Sequence, residues 1–143
     1  MRFNFEDDEV LGLYVNLLKT ISLKLDEHTV QFFLVHPSSK QGRLRFPLYS
    51  EALKFGTSKD GMVRAAVRNL TLNAFTIPSI SLRSYFGEEE TRDFFDHVSS
   101  ELRDTYKKLD QCLQSKSSNG AQVEQLLSYI DDEFTYFNDV WST

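Results

Sequence analysis

Phe46-Pro47-Leu48-Tyr49-Ser50-Glu51-Ala52-Leu53-Lys54-Phe55-Gly56 runs into Thr57-Ser58-Lys59-Asp60 and then into Gly61-Met62-Val63-Arg64-Ala65-Ala66-Val67-Arg68-Asn69-Leu70-Thr71-Leu72-Asn73-Ala74. Pro47 suits the first position of a helix, where its missing N–H would have no partner anyway. Leu48, Tyr49, Ala52, Leu53 and Phe55 continue that helix, and Gly56 is placed to end it in a left-handed turn. Thr57 to Asp60 has the form of a capping-box start. The next helix carries Met62, Val63, Ala66, Val67, Leu70 and Ala74 along its inner face. Ala65 and Ala66 are small enough for another helix to come close, and Pro78 ends the run. Two helices joined by a short polar turn, with no alternation of period two, point to an all-α chain.

The flanks extend this reading. Upstream, a helix is expected from about Asp7 to Lys24, with Val10, Tyr14, Leu17, Ile21 and Leu25 on one buried stripe and Leu11 and Leu18 widening it. A short apolar segment, about His28 to Val35, is read as a second helix, followed by a loop from Pro37 to Arg45. Residues 77–90 read as a connector with apolar points at Ile80, Leu82, Tyr85 and Phe86. A long helix follows from about Thr91 to Gln114, striped by Phe95, Val98, Leu102, Leu109 and Leu113. After the polar turn Ser115 to Gly120, the last helix repeats Val123, Leu127, Ile130, Phe134, Phe137 and Trp141 at alternating steps of four and three. Two long helices around a short loop form an antiparallel hairpin. The expected organisation is a short-helix stack over 1–76, a connector over 77–90 and a helical hairpin over 91–143. A compact bundle and an armadillo/HEAT-like stack both accommodate it, and the short helix pairs favour the stack.

The 143 residues are 41% hydrophobic and 26% charged, with 3 Pro and 6 Gly, which fits a globular fold and excludes a disordered or Pro-rich chain. The lone Cys112 excludes a disulfide framework and suits a reducing compartment. Met1 to Glu9 lacks the basic and apolar regions of a signal peptide. No apolar run nears the roughly 20 residues of a membrane span. Formal charge is −5 but uneven: residues 40–83 carry 8 basic and 2 acidic side chains, whereas residues 84–143 carry 5 basic and 13 acidic. The basic middle is either a site for an anionic partner, a peripheral membrane contact included, or one half of charge complementarity between packed helices. Nucleic acid is not expected as a partner of an acidic chain without a binding motif.

Catalytic and metal patterns are missing from the sequence. His28, His36 and His97 show no zinc spacing, and there is no phosphate loop, G-x-S-x-G or H-E-x-x-H. Cys112 falls in an apolar stripe and reads as a small buried hydrophobe. Glu88-Glu89-Glu90 opens a helix, where carboxylates are favoured by the dipole. Asp131-Asp132-Glu133 points its side chains apart around a helix. Neither a catalytic residue nor a cofactor or metal ligand is assigned. Arg64 and Arg68, four apart on one helix face, could offer two guanidinium groups to a phosphate or carboxylate, or pair with acids of neighbouring helices such as Glu51.

The Phe46–Phe55 and Met62–Asn73 blocks resemble the signature of FPL domains, with the three-letter name itself at Phe46, Pro47 and Leu48. Leu18-Lys19-Thr20-Ile21-Ser22-Leu23-Lys24-Leu25 and His28-Thr29-Val30-Gln31-Phe32-Phe33 resemble the same domain in the same order. Beyond Ser79 the likeness thins to Leu109-Asp110-Gln111-Cys112 and Phe137-Asn138-Asp139. Such domains occur in the C-type lectin domain family 16 member A, endosomal maturation defective and transparent testa family. The resemblance implies a non-enzymatic helical scaffold, cytoplasmic and peripheral on endosomes and lysosomes, that serves membrane trafficking, autophagy and mitophagy. The partners it implies belong to tethering, retromer or ubiquitin-ligase complexes, with a ligase-associated adaptor or a phosphoinositide-binding module as the alternatives. Family members are longer, so the chain reads as a partial FPL domain, and Val10, Tyr14, Leu17 and Ile21 are expected to want cover, which invites self-association. Arg64, Arg68, Phe46, Pro47 and Leu48 are the expected partner-binding residues.

Overall fold

Asp7 opens the first helix by accepting hydrogen bonds at Oδ1 from the backbone N–H of Glu9 (2.9 Å) and Val10 (3.4 Å), two donors with no partner inside the helix. The computed structural model describes residues 7–37, 42–87, 89–114 and 120–143, with the side chains of Asp8 and Glu89 left aside. In order, the helices are α1 (Asp8–Ser22), a 3-10 helix (Thr29–Phe33), α2 (Pro47–Leu53), α3 (Gly61–Phe75), α4 (Ile80–Phe86), α5 (Glu89–Gln114) and α6 (Gly120–Ser142). The fold is all-α, with 77% of the described residues helical. Among the described residues the only ladder pairing is a single antiparallel bridge between Val35 and Arg45. The chain divides into two units, one ending at Phe94 and one beginning at Phe95.

In the first unit α1, α2 and α3 pack against one another. Val15 and Leu18 of α1, Leu48, Tyr49 and Ala52 of α2, and Val63, Val67, Leu70 and Ala74 of α3 form one buried cluster. Asn73 Nδ2 donates to Ser22 Oγ (3.0 Å), and Ser22 in turn donates to the Lys19 carbonyl (2.6 Å), pinning α3 to the end of α1. The expected stripe on α1 holds at Leu11, Tyr14, Leu18, Ile21 and Leu25, which pack on this cluster, but Leu17 is 55% exposed and Val15 takes its place inside. Met62 likewise leaves the inner face of α3.

Three local expectations are corrected. The segment after His28 is a five-residue 3-10 helix, not an α-helix. Asp26 Oδ1 accepts from the N–H groups of His28 (2.8 Å) and Thr29 (2.7 Å), which turns the chain tightly. Val35 then leaves in an extended form to exchange hydrogen bonds with Arg45 (2.9 and 3.1 Å), closing the neck of the loop. Gly56 is not in the left-handed region, and no described residue has that backbone. It is buried, and a Cβ there would run into the Phe94 ring. Close approach, not conformational freedom, calls for glycine. The connector after Ile77 holds a helix of its own, α4, which Ser79 caps by accepting from Leu82 N–H (3.5 Å). Leu82 and Tyr85 are buried beneath it.

The second unit pairs the two long helices. Phe95, early in α5, stacks on Tyr136 (centroids 6.1 Å apart) and lies 6.2 Å from Phe137, near the end of α6. Further along α5, Glu101 accepts from the Tyr129 hydroxyl (3.2 Å). The two helices therefore run antiparallel. Val98, Leu109, Ile130 and Tyr136 are buried between them. The alternating stripe on α6 is not simply the buried face, however. Leu127, Phe134 and Trp141 are 49%, 52% and 93% exposed, whereas Glu133 is completely buried. The hydrogen bond of Tyr129 to Glu101 and the Tyr136 stack on Phe95 set this roll.

Candidate functional site

The block quoted at the outset builds an aromatic box. Phe46 precedes Pro47, and its carbonyl accepts from Tyr49 and Ser50 N–H (both 3.0 Å), starting α2. Its ring is fully buried and stacks on Tyr49, with centroids 6.0 Å apart and planes at 10°. Tyr49 meets Phe86 at 5.1 Å, Tyr85 at 5.9 Å and Phe75 at 6.1 Å. Rings from α2, α3 and α4 thus lock together in stacked, tilted and edge-to-face pairs, an arrangement worth more than the area it buries. The Tyr49 hydroxyl accepts from Thr91 Oγ1 (3.3 Å).

A polar knot lies beside the box. Tyr85 donates its hydroxyl hydrogen to Glu90 Oε2 (2.6 Å), Ser50 Oγ donates to the same oxygen (2.9 Å), and the two hydroxyls lie 3.0 Å apart. Burial, with the Glu90 carboxylate as the next cause, pushes the Tyr85 phenol up to about 12. The knot ties α2, α4 and the first turns of α5 with hydrogen bonds to one charged acceptor.

The expected partner-binding residues separate in space. Phe46 and Leu48 are 0% and 7% exposed, so their side chains are not open to a partner; they shape the fold beneath the surface. Pro47 is half-buried at the first helical position. Arg64 is half-buried and folds back, with Nη1 donating to the carbonyls of Ser58 (2.7 Å) and Lys59 (3.0 Å). It braces the turn before α3 and does not present an open fork. Arg68 is half-buried on the same helix. Glu51, weighed as a partner for these arginines, instead pairs with Lys54 (2.6 Å). Arg43, Arg45, Lys59 and Arg83 are exposed. Cys112 is half-buried, and His97 stands 3.9 Å from Glu101 on the face of α5.

Two grooves open on α1. One, of about 380 Å³, runs between α1 and α3 past Gly12, Leu13, Asn16, Met62 and Ala65. The other, of about 520 Å³, lies against Ile21, Leu25, Phe32 and Phe33. Leu13, Phe32 and Met62 are 66%, 86% and 81% exposed. Sequence spacing alone placed Met62 with the core and passed over Leu13 and Phe32. Among the described residues no three His, Cys, Asp or Glu gather as a metal would require, and no helix is long and apolar enough to cross a membrane.

The fold and its motif block define an all-α module of the FPL kind. The FPL family model, described as an uncharacterised conserved protein, matches residues 1–75, just over half of the chain, and the chain belongs to that family. It is 32% identical over 143 residues to protein CLEC16A of Homo sapiens, covering 97% of this chain and 13% of that protein. It is 30% identical over 141 residues to the CLEC16A homolog of Drosophila melanogaster, covering 97% and 13%. Protein TRANSPARENT TESTA 9 of Arabidopsis thaliana is 30% identical over 145 residues, covering 98% and 17%. The chain thus spans less than a fifth of the length of these relatives. No solved structure matches it.

Proposed function

We propose that this chain is part of a non-enzymatic scaffold in endosomal and lysosomal membrane trafficking and autophagy, mitophagy included, and that it works by binding other proteins. Membership of the FPL family carries this reading. The packing supports it: polar groups of the motif block, the Ser50–Tyr85–Glu90 knot and the Arg64 brace, hold helices in place, while open apolar grooves face outward. Tethering, retromer or ubiquitin-ligase complexes are the partner classes, and the cytoplasmic surface of endosomes and lysosomes is the place. Proximity labelling with the tagged chain in cells tests this. Enrichment of endolysosomal trafficking components over the tag alone is expected, and a profile indistinguishable from the tag would overturn it.

A second reading, contact with phosphoinositide headgroups, is favoured by the exposed cations Arg43, Arg45, Lys59 and Arg83 of the basic middle. Flotation with vesicles containing phosphoinositide should then succeed at low salt and fail as salt rises. Reversing Arg43, Arg45 and Lys59 to Glu should abolish it, and flotation unchanged by those substitutions removes the reading.

A further inference from the structure

The roll of α6 leaves a row of apolar side chains on the outside of the helical hairpin. Leu127, Phe134 and Trp141 are spaced by sevens on α6, and Tyr106 and Leu113 by seven on α5. All five are between 43% and 93% exposed. The rows are neighbours: the Tyr106 and Phe134 rings are 6.4 Å apart. Seven-residue spacing on two adjacent antiparallel helices is the geometry that receives a third helix along the seam between them. From Leu127 to Trp141 the row runs for about 21 Å at 1.5 Å per residue, so it matches a helix of about four turns. Aromatic side chains bury on the order of 150–250 Å² each, so the row exceeds what single exposed hydrophobics explain.

The charges beside the row choose the occupant. Asp131 stands four residues after Leu127 and three before Phe134; Glu124 stands three before Leu127; Asp110 stands four after Tyr106 and three before Leu113. All three are exposed, with Arg103, three before Tyr106, as a cation on the same margin. Residues 95–143 as a whole carry 9 acidic and 4 basic side chains. Two copies of this face would set like charges against each other.

We propose that the face of α5 and α6 bearing Tyr106, Leu113, Leu127, Phe134 and Trp141 is a docking site for a basic amphipathic helix of a partner protein. That helix presents apolar residues at alternating three- and four-residue steps, and its flanking Lys or Arg residues meet Asp110, Glu124 and Asp131. The site lies outside residues 1–75, on which the trafficking reading rests, so either can fail without the other.

Trp141 is the only tryptophan in the chain and reports on its own cover. The probe is a labelled three-heptad peptide with Leu at the two seam positions and Lys on the flanks. Its counterparts carry Glu on the flanks, or the same basic composition in scrambled order. Titrated into the full chain, the basic peptide should bind at low-micromolar concentration, gain helix and move Trp141 emission to shorter wavelength. The scrambled and acidic peptides should bind about tenfold more weakly or worse. Phe134→Ser and Trp141→Ser, both at exposed positions and checked for unchanged helix content, should each weaken the basic peptide about tenfold. Equal binding of the scrambled peptide, affinity unmoved by both substitutions, or binding without a Trp141 shift would overturn the proposal. So would sedimentation showing a dimer in which Trp141 is already covered, or Trp141 entering anionic vesicles while ignoring the peptide.

Discussion

Replacing Gly56 with alanine should destabilise the first unit by about 0.5–2.5 kcal/mol, the balance of two opposed effects. An added Cβ would overlap Phe94 Cε2 and lie 3.1 Å from Cδ2 and 3.2 Å from Cζ. The Phe94 ring is 7% exposed and has little room to retreat. Overpacking of this kind costs about 1–3 kcal/mol. The backbone at Gly56 is not left-handed, so alanine strains nothing and stiffens the unfolded chain by about 0.4–1 kcal/mol, which offsets part of the loss. Urea unfolding followed by circular dichroism measures the difference as a lower midpoint with the slope unchanged. The partner variant is Phe94→Leu, which shortens the ring that the new methyl meets. Alone it leaves a gap and destabilises. Combined with Gly56→Ala it should be less harmful than the two single losses added together, by about 0.5–3 kcal/mol of coupling. A left-handed helix cap would give another pattern: asparagine better tolerated than alanine, and no coupling to position 94. That pattern, or alanine within experimental error of wild type, would refute the close-approach argument.

Tyr49→Phe should cost about 0.5–1.5 kcal/mol by removing the Thr91 hydrogen bond, whereas Tyr49→Ala should cost about 3–5 kcal/mol by emptying the aromatic box, both read from urea midpoints. Folded Tyr85 keeps its proton up to about pH 12, against about 10 in an unfolded chain, so unfolding releases a proton between those values. Stability should therefore fall as pH rises from 10 toward 12, and Tyr85→Phe should flatten part of that slope in denaturation series at fixed pH. Arg64→Ala should cost about 1–2 kcal/mol by leaving the Ser58 and Lys59 carbonyls to solvent, and Arg64→Lys should recover part of it; a loss below the error of urea titration would show that the brace carries nothing.

Legibility in the sequence followed the range of the forces at work. Pro47 at the head of α2 and the apolar spacing of Val63, Val67, Leu70 and Ala74 act locally, and the structure has them where the residues point. The capping box expected over Thr57 to Asp60 is corrected: the cap is Asp60 itself, whose side chain accepts from Met62 N–H at 2.7 Å, so the helix starts at Gly61, three residues later than a cap at Thr57 would start it. Helix α4 went unread because seven residues give too short a period to recognise, although Ser79 after Pro78 was a usable start signal. Gly56 was misassigned because its reason sits nearly forty residues away at Phe94. The roll of α6 was hidden in the same way. Its stripe permits several orientations, and the contacts of Tyr129 and Tyr136 with α5 chose the one that buries Glu133 and turns out Trp141. Arg64 carried the right chemistry for an anion site, but it donates to the carbonyls of its own preceding turn.

The paired hydrogen bonds between Val35 and Arg45 tie off the intervening segment like a drawstring. Whatever length of chain leaves at Val35 must come back at Arg45 in the same place, so α2 begins from a fixed point. Doubling such a segment adds only about 0.6 kcal/mol of closure entropy. The segment beyond the neck, between Val35 and Arg45, is therefore where evolution or an engineer can splice in extra residues, an epitope or a fluorescent tag, without disturbing the helices on either side.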